Sequence, residues 1–126
     1  MVSDIIKNIA VVGAGSFIGG AARYLASLAM KGFGKGFPWA TLAVNLVGCF
    51  LIGLFGGVFS RTANDGGTWA LFLTVGFCGG FTTFSTFSKD ALIMLQGGNI
   101  WGFAGYVAIS LIVGIVLVAA GYYLVR

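Results

Sequence analysis

Polar side chains that could contact an ion occur inside long apolar stretches of the sequence. Thr41 and Asn45 are four residues apart in one stretch, and Tyr106 and Ser110 have the same spacing in another. Residues four apart lie on one face of a helix, so each pair predicts a polar patch on its helix. Polar groups inside a membrane span are functional candidates by default. The alternative is that they form hydrogen bonds between helices of a bundle.

A third stretch combines two adjacent glycines with a cluster of hydroxyl residues. Gly79 and Gly80 are followed, within a few positions, by Thr82, Thr83, Ser85, Thr86 and Ser88. This composition predicts a broken helix, because such residues favour caps and turns over a helix interior. A break at membrane depth requires protein or a polar cavity to satisfy the backbone, and freed carbonyl groups can bind a small cation.

Two phenylalanines in the same stretch are three residues apart. At this spacing Phe84 and Phe87 place their rings near each other on one side of a helix. The edge of an aromatic ring is electropositive, so ring edges could face an anion without offering it a full charge. Ordinary packing is the other role that such a pair commonly has, and the residues alone leave both open.

The composition determines which elements carry these residues. Of the 126 residues, 59% are hydrophobic and 8% are charged, whereas soluble domains have about 25% charged residues. Lipid is therefore the expected solvent for most of the surface. Four apolar segments, at about 5–30, 38–59, 68–95 and 100–124, are long enough for transmembrane helices. The sequence predicts an all-α membrane protein with a broken third helix and one domain over residues 1–126.

Glycines and charges indicate how the segments assemble. GxxxG pairs predict close helix contacts at Gly15/Gly19, Gly53/Gly57 and Gly76/Gly80. The net charge of +4 is scattered at helix ends, which favours headgroup anchoring and argues against a nucleic-acid partner. Three basic residues are expected on each side of the membrane: Lys7, Arg61 and Arg126 against Lys31, Lys35 and Lys89. Without a charge bias the chain can insert both ways, so two copies could form an inverted pair.

Other membrane proteins of this size fit less well. A small multidrug-type proton antiporter needs an embedded carboxylate, but the three acids, Asp4, Asp65 and Asp90, are expected at span ends or in loops. A structural or accessory protein explains the glycines and leaves the hydroxyl-rich segment unexplained. An enzyme is not expected, because the chain has no His and no evident nucleophile–base pair.

Several separated stretches resemble the Fluc fluoride channels, also called the CrcB family. They are GGAARY at 19–24, TLAVNLVG at 41–48 and GFCGGFTTFSTFS at 76–88. Segment lengths, their order and the polar face of the fourth segment are also similar, so the resemblance covers nearly the whole chain. It implies an antiparallel, dual-topology homodimer with two pores in the cell inner membrane or plasma membrane. It also implies passive export of cytoplasmic fluoride.

The resemblance assigns roles to individual positions. Pore positions of the family correspond to Asn45, Phe84, Phe87, Tyr106 and Ser110. The backbone carbonyls of Gly79 and Thr82 correspond to the ligands of a structural sodium ion shared by the two subunits. The chain departs from the family at Gly114, one turn after Ser110, where some members have a hydroxyl; other donors are expected there. Arg23, the arginine inside a span, is assigned a structural or vestibule role.

Overall fold

The computed structural model describes residues 1–34 and 36–125. Helix α1 spans Val2–Ala29 and helix α2 spans Trp39–Phe59. The third span, Ala63–Gln96, is composed of a 3-10 turn, α3 (Gly67–Ala70), a π-helix (Leu71–Cys78), α4 (Gly79–Phe81) and α5 (Phe84–Gln96). Helix α6 spans Ile100–Leu124. The predicted all-helical architecture is confirmed. Two residues of the predicted charge balance, Lys35 and Arg126, lie outside the described residues.

Four segments of the described chain are long and apolar enough to cross a membrane. Their mean hydropathies range from 1.4 to 2.5. Large apolar side chains cover their outer surfaces; for example, Phe17 is 77% exposed and Ile115 is 70% exposed. Such a surface requires lipid around it, because apolar area is stabilised away from water. The chain is therefore a multi-pass membrane protein.

The third span is broken, as predicted, but not at its glycine pair. Gly79 and Gly80 remain helical, whereas Thr82 and Thr83 have extended backbones, with ψ of 160° and 118°. Gly80 is instead needed for close packing of α4 on α1, because a Cβ there would overlap the backbone of Ser16 in α1. The Thr83 side chain caps α5 by accepting a hydrogen bond from the Thr86 N–H at 3.1 Å. Capping by a threonine restarts the helix after the break.

Glycines bring the helices into backbone contact. A Cβ on any one of six glycines would press against another helix: Gly15, Gly19, Gly53, Gly57, Gly76 and Gly80. The predicted role of the GxxxG pairs in packing is thereby confirmed. Helix α1 lies along the π-helix, and α2 lies along α6. The π-helix was not predicted; such wide turns are frequent at functional sites.

A small core closes one end of the bundle. Leu42, Ala91, Met94 and Tyr106 are buried where α2, α5 and α6 meet. At another end, the Arg61 guanidinium donates to the carbonyl of Val125 at 2.5 Å. The loop after α2 and the end of α6 therefore lie on the same side, as the order of four spans requires.

Candidate ion pathway

One groove collects most of the residues that the sequence singles out. It lies between α2, the third span and α6 and has a volume of about 540 Å³. Six of the seven predicted site residues line it: Asn45, Gly79, Thr82, Phe84, Phe87 and Ser110. They come from three different spans, so their meeting depends on the fold. Tyr106 is the seventh, and it does not line the groove.

Asn45 holds the helix break in place. Its Oδ1 accepts a hydrogen bond from the Thr83 N–H at 2.8 Å, and its Nδ2 donates to the Thr83 carbonyl at 3.1 Å. The Asn45 amide therefore bonds both the N–H and the carbonyl of Thr83, which a continuous helix would otherwise bond within itself. An amide nitrogen has two hydrogens, so the second remains for another acceptor in the groove.

The break frees the two carbonyls predicted to bind a cation. In a continuous helix, the N–H groups of Thr83 and Thr86 would bond the carbonyls of Gly79 and Thr82. Those N–H groups instead donate to Asn45 Oδ1 at 2.8 Å and to Thr83 Oγ1 at 3.1 Å. Gly79 and Thr82 both line the groove. Their carbonyl oxygens are hard ligands, the kind that suits a small hard cation.

The two phenylalanines have different surroundings. Their ring centroids are 5.8 Å apart with an interplanar angle of 39°. Phe84 is 78% exposed towards the groove, whereas Phe87 packs against Tyr106 with centroids 4.9 Å apart. Phe84 therefore has little to pack against within one chain, and Phe87 is part of the core wall.

Tyr106 lies beneath the groove. Its side chain is fully buried, at 0% exposure, and its hydroxyl donates to Asp90 Oδ2 at 3.3 Å. As expected, Asp90 lies towards a span end: it is half-buried in α5 and lines a cavity together with Lys31 and Pro38 of the loop between α1 and α2. Its contact with Tyr106 was not predicted, although the spacing of three residues places Asp90 on the same helix face as Phe87.

A second cavity lies on another side of the break. It has a volume of about 290 Å³ and is lined by residues that include Arg23, Thr41 and Thr83. The Arg23 Nε donates to the Gly80 carbonyl at 3.2 Å, so this arginine braces the end of α4. Because Thr83 lines both this cavity and the groove, the break forms part of the wall between them.

Comparison with known proteins gives a consistent family. The sequence profile of the CrcB-like proteins, described as Camphor Resistance (CrcB), matches residues 10–122. A fluoride-specific ion channel FluC of Agrobacterium fabrum is 47% identical over 120 residues, covering 94% of this chain and 96% of the relative. The FluC channels of Bacteroides fragilis and Prosthecochloris aestuarii are 45% and 41% identical to this chain, and the aligned regions cover 96% and 92% of these two relatives. These relatives are named as ion channels and not as enzymes. The chain belongs to the CrcB-like protein family.

Proposed function

We propose that the chain forms a fluoride channel through which fluoride leaves the cytoplasm passively. The observation that carries the proposal is the groove itself, which combines Asn45, Ser110 and two phenylalanine rings without a formal charge. The relatives named as fluoride-specific channels support the choice of ion.

Neutral donors suit an anion that must pass through and leave. Taking a small anion into a low-dielectric medium costs on the order of 20 kcal/mol when nothing compensates it. The free Nδ2 hydrogen of Asn45 and the Ser110 hydroxyl can replace water, while ring edges add weak positive potential. Conduction requires binding that is favourable enough for entry and weak enough for exit. A lysine or arginine in the groove would hold the anion longer.

The proposed assembly is an antiparallel homodimer with two pores. In a single chain the groove is open, and the Phe84 side chain is 78% exposed. A second copy, inserted in the opposite orientation, would cover this ring and close the path. The balanced basic residues on the two sides favour insertion in both orientations.

A structural sodium ion is proposed between the two breaks. The carbonyls of Gly79 and Thr82 from two copies would supply four oxygen ligands, and the ion would add a positive charge that ties the broken helices together. The N–H groups that a helix would direct to these carbonyls are taken by side chains, which supports this assignment. The ion is not part of the transport route.

Fluoride efflux from liposomes tests the proposed activity. Purified protein should release fluoride rapidly once a potassium shunt is opened, and chloride far more slowly. Efflux that requires a proton gradient would instead favour exchange coupled to the half-buried carboxylate of Asp90. No fluoride release by correctly folded protein would refute the channel.

Two measurements test the dimer. Reporter tags on the C-terminus should appear on both sides of the membrane, and a single orientation in every molecule would refute the antiparallel arrangement. Gly79→Ala provides a second test, because a Cβ at Gly79 meets nothing within 4 Å in one chain. We expect this variant to weaken the dimer, because Gly79 lines the groove that the second copy would cover. Gly13→Ala also meets nothing but lies outside the groove lining, so it should leave the dimer unchanged.

A further inference from the structure

The hydroxyl of Ser110 is a buried polar group that needs a partner. Its Oγ is closed off from solvent and is the one buried side-chain oxygen or nitrogen of the described residues without a hydrogen bond. A buried hydroxyl without a partner is destabilising by about 1–3 kcal/mol. Because Ser110 lines the groove, rotation of its side chain into the groove would give the hydroxyl a transient occupant as partner.

The next position along this face of α6 has no side chain. Gly114 lies four residues after Ser110, so both are on the same side of the helix. The space there is occupied from α2: a Cβ on Gly114 would lie 3.3 Å from Cys49 Sγ. Cys49 also lines the groove. The thiol of Cys49 therefore stands where a longer side chain at Gly114 would have stood.

We propose that the Cys49 thiol is a hydrogen-bond donor to the anion, following Ser110 along the path. This inference rests on the proposed function. A thiol is a neutral, weak donor, so it can contact a passing anion without trapping it. Cys78 also lines the groove but its side chain is 1% exposed, whereas Cys49 is half-buried and its thiol lies beside Gly114, which has no side chain.

Three variants separate donation from packing. Cys49→Ala removes the donor and should slow fluoride efflux about 3- to 10-fold, since a weak donor is lost. Cys49→Ser retains a donor on the same Cβ and should conduct within about 2-fold of the parent. In the double variant Cys49→Ala/Gly114→Ser, the sulfur that would crowd residue 114 is absent. A hydroxyl then enters the same space from α6, and efflux should return towards the parent rate.

Chemical modification of the thiol tests Cys49 without substituting it. In a Cys78→Ser background Cys49 is the remaining thiol, because the chain has two cysteines. Methyl methanethiosulfonate should then stop fluoride efflux relative to the same protein before treatment. It should have no effect when Cys49 is also replaced by serine.

The outcomes distinguish this inference from the proposed function. A parent protein that does not conduct fluoride overturns both. A conducting parent whose Cys49→Ala variant elutes like the parent and conducts at the same rate overturns the role of Cys49 alone. Should Cys49→Ala elute abnormally, labelling decides: full modification of Cys49 with unchanged efflux, or no modification at all, would place the thiol outside the path.

Discussion

Glycines have different surroundings at the α2–α6 interface and at the helix break. At the interface, a Cβ on Gly121 would overlap the carbonyl of Phe50, and one on Gly53 would overlap that of Val118. At the break, a Cβ on Gly79 would meet nothing within 4 Å. The first region is closed by the chain's own backbone, whereas the second is open and still has polar groups to satisfy. Polar groups on an open surface in lipid imply an occupant from outside the single chain.

The two regions also differ in how their backbone is satisfied. Within α2 and α6 the helices bond their own N–H and carbonyl groups. At the break, Asn45 and Thr83 side chains replace those bonds. Substitutions at the interface should therefore affect folding, and substitutions at the break should affect conduction more than folding.

The largest effect is expected from filling the closed interface. Gly121→Val places a branched side chain against the Phe50 carbonyl. Because backbone cannot move aside as a side chain can, we expect destabilisation of about 3 kcal/mol or more. Size-exclusion chromatography of the solubilised protein should show aggregate in place of the parent peak.

A matched control for this variant lies on the same helix. A Cβ on Gly105 meets nothing within 4 Å, so Gly105→Val should elute like the parent. Parent-like elution of both valine variants would mean that α2 and α6 do not pack as described.

A smaller effect on folding and a large one on conduction are expected at Asn45. In Asn45→Ala the Thr83 N–H and carbonyl lose their partners, at about 1–3 kcal/mol for each group left unsatisfied. The variant also loses the free Nδ2 hydrogen proposed to donate to the anion; where a loss of about 1–3 kcal/mol falls on the barrier, fluoride efflux slows about 5- to 150-fold. Asn99→Ala is the control, because Asn99 caps α6 by accepting from the Gly102 N–H at 2.9 Å. It should cost about 1 kcal/mol of stability without changing the rate; an Asn45→Ala variant with the parent rate would contradict the role of the break.

The sequence predicted the spans better than the cause of the break. Long apolar runs and GxxxG spacing determine the helices almost by themselves. The adjacent glycines were the stronger local signal for a break, but Gly80 is needed for contact with Ser16, and the break follows at Thr82 and Thr83. The reason is tertiary: Asn45, on another helix, binds the extended backbone, and a single sequence gives no spacing for that contact.

The phenylalanines should respond differently to loss of the ring. Phe84→Ile and Phe87→Ile both retain bulk and remove the electropositive edge, so both should slow fluoride efflux, by about 3- to 10-fold if the edge is worth near 1 kcal/mol. Phe87 also packs on Tyr106, so its variant should lower the melting temperature, while the exposed Phe84 should not. Parent rates in both variants would exclude the rings from the path.

The polar residues of the site were predictable in part. Asn45 and Ser110 are polar groups within apolar runs and stand out by composition. Cys49 gave no such signal, because a buried thiol usually behaves as a small hydrophobe. Tyr106 was expected along the path by resemblance, but its side chain lies beneath the groove and points to Asp90. Which partner a buried hydroxyl selects depends on helix rotation, and a polar pattern alone does not determine it.

The smallest effect is expected at Tyr106. Tyr106→Phe retains the buried ring and its contact with Phe87 but removes the hydroxyl that donates to Asp90 at 3.3 Å. A well-formed hydrogen bond to a charged group contributes about 1.5–3 kcal/mol net. This bond is long, at 3.3 Å, and Asp90, half-buried, can still find water, so its contribution is expected to be smaller. We expect fluoride efflux to fall by about 2-fold.

A double-mutant cycle decides how the tyrosine acts. If its hydroxyl works through Asp90, then Asp90→Asn and Tyr106→Phe should have similar small effects, and the double variant should add little, because residues in one hydrogen-bonded pair are not additive. If the hydroxyl contacts the anion directly, the two effects should multiply. Multiplicative losses would indicate that Tyr106 belongs to the ion path, which would require its ring to turn or the proposed second copy to extend the groove to it.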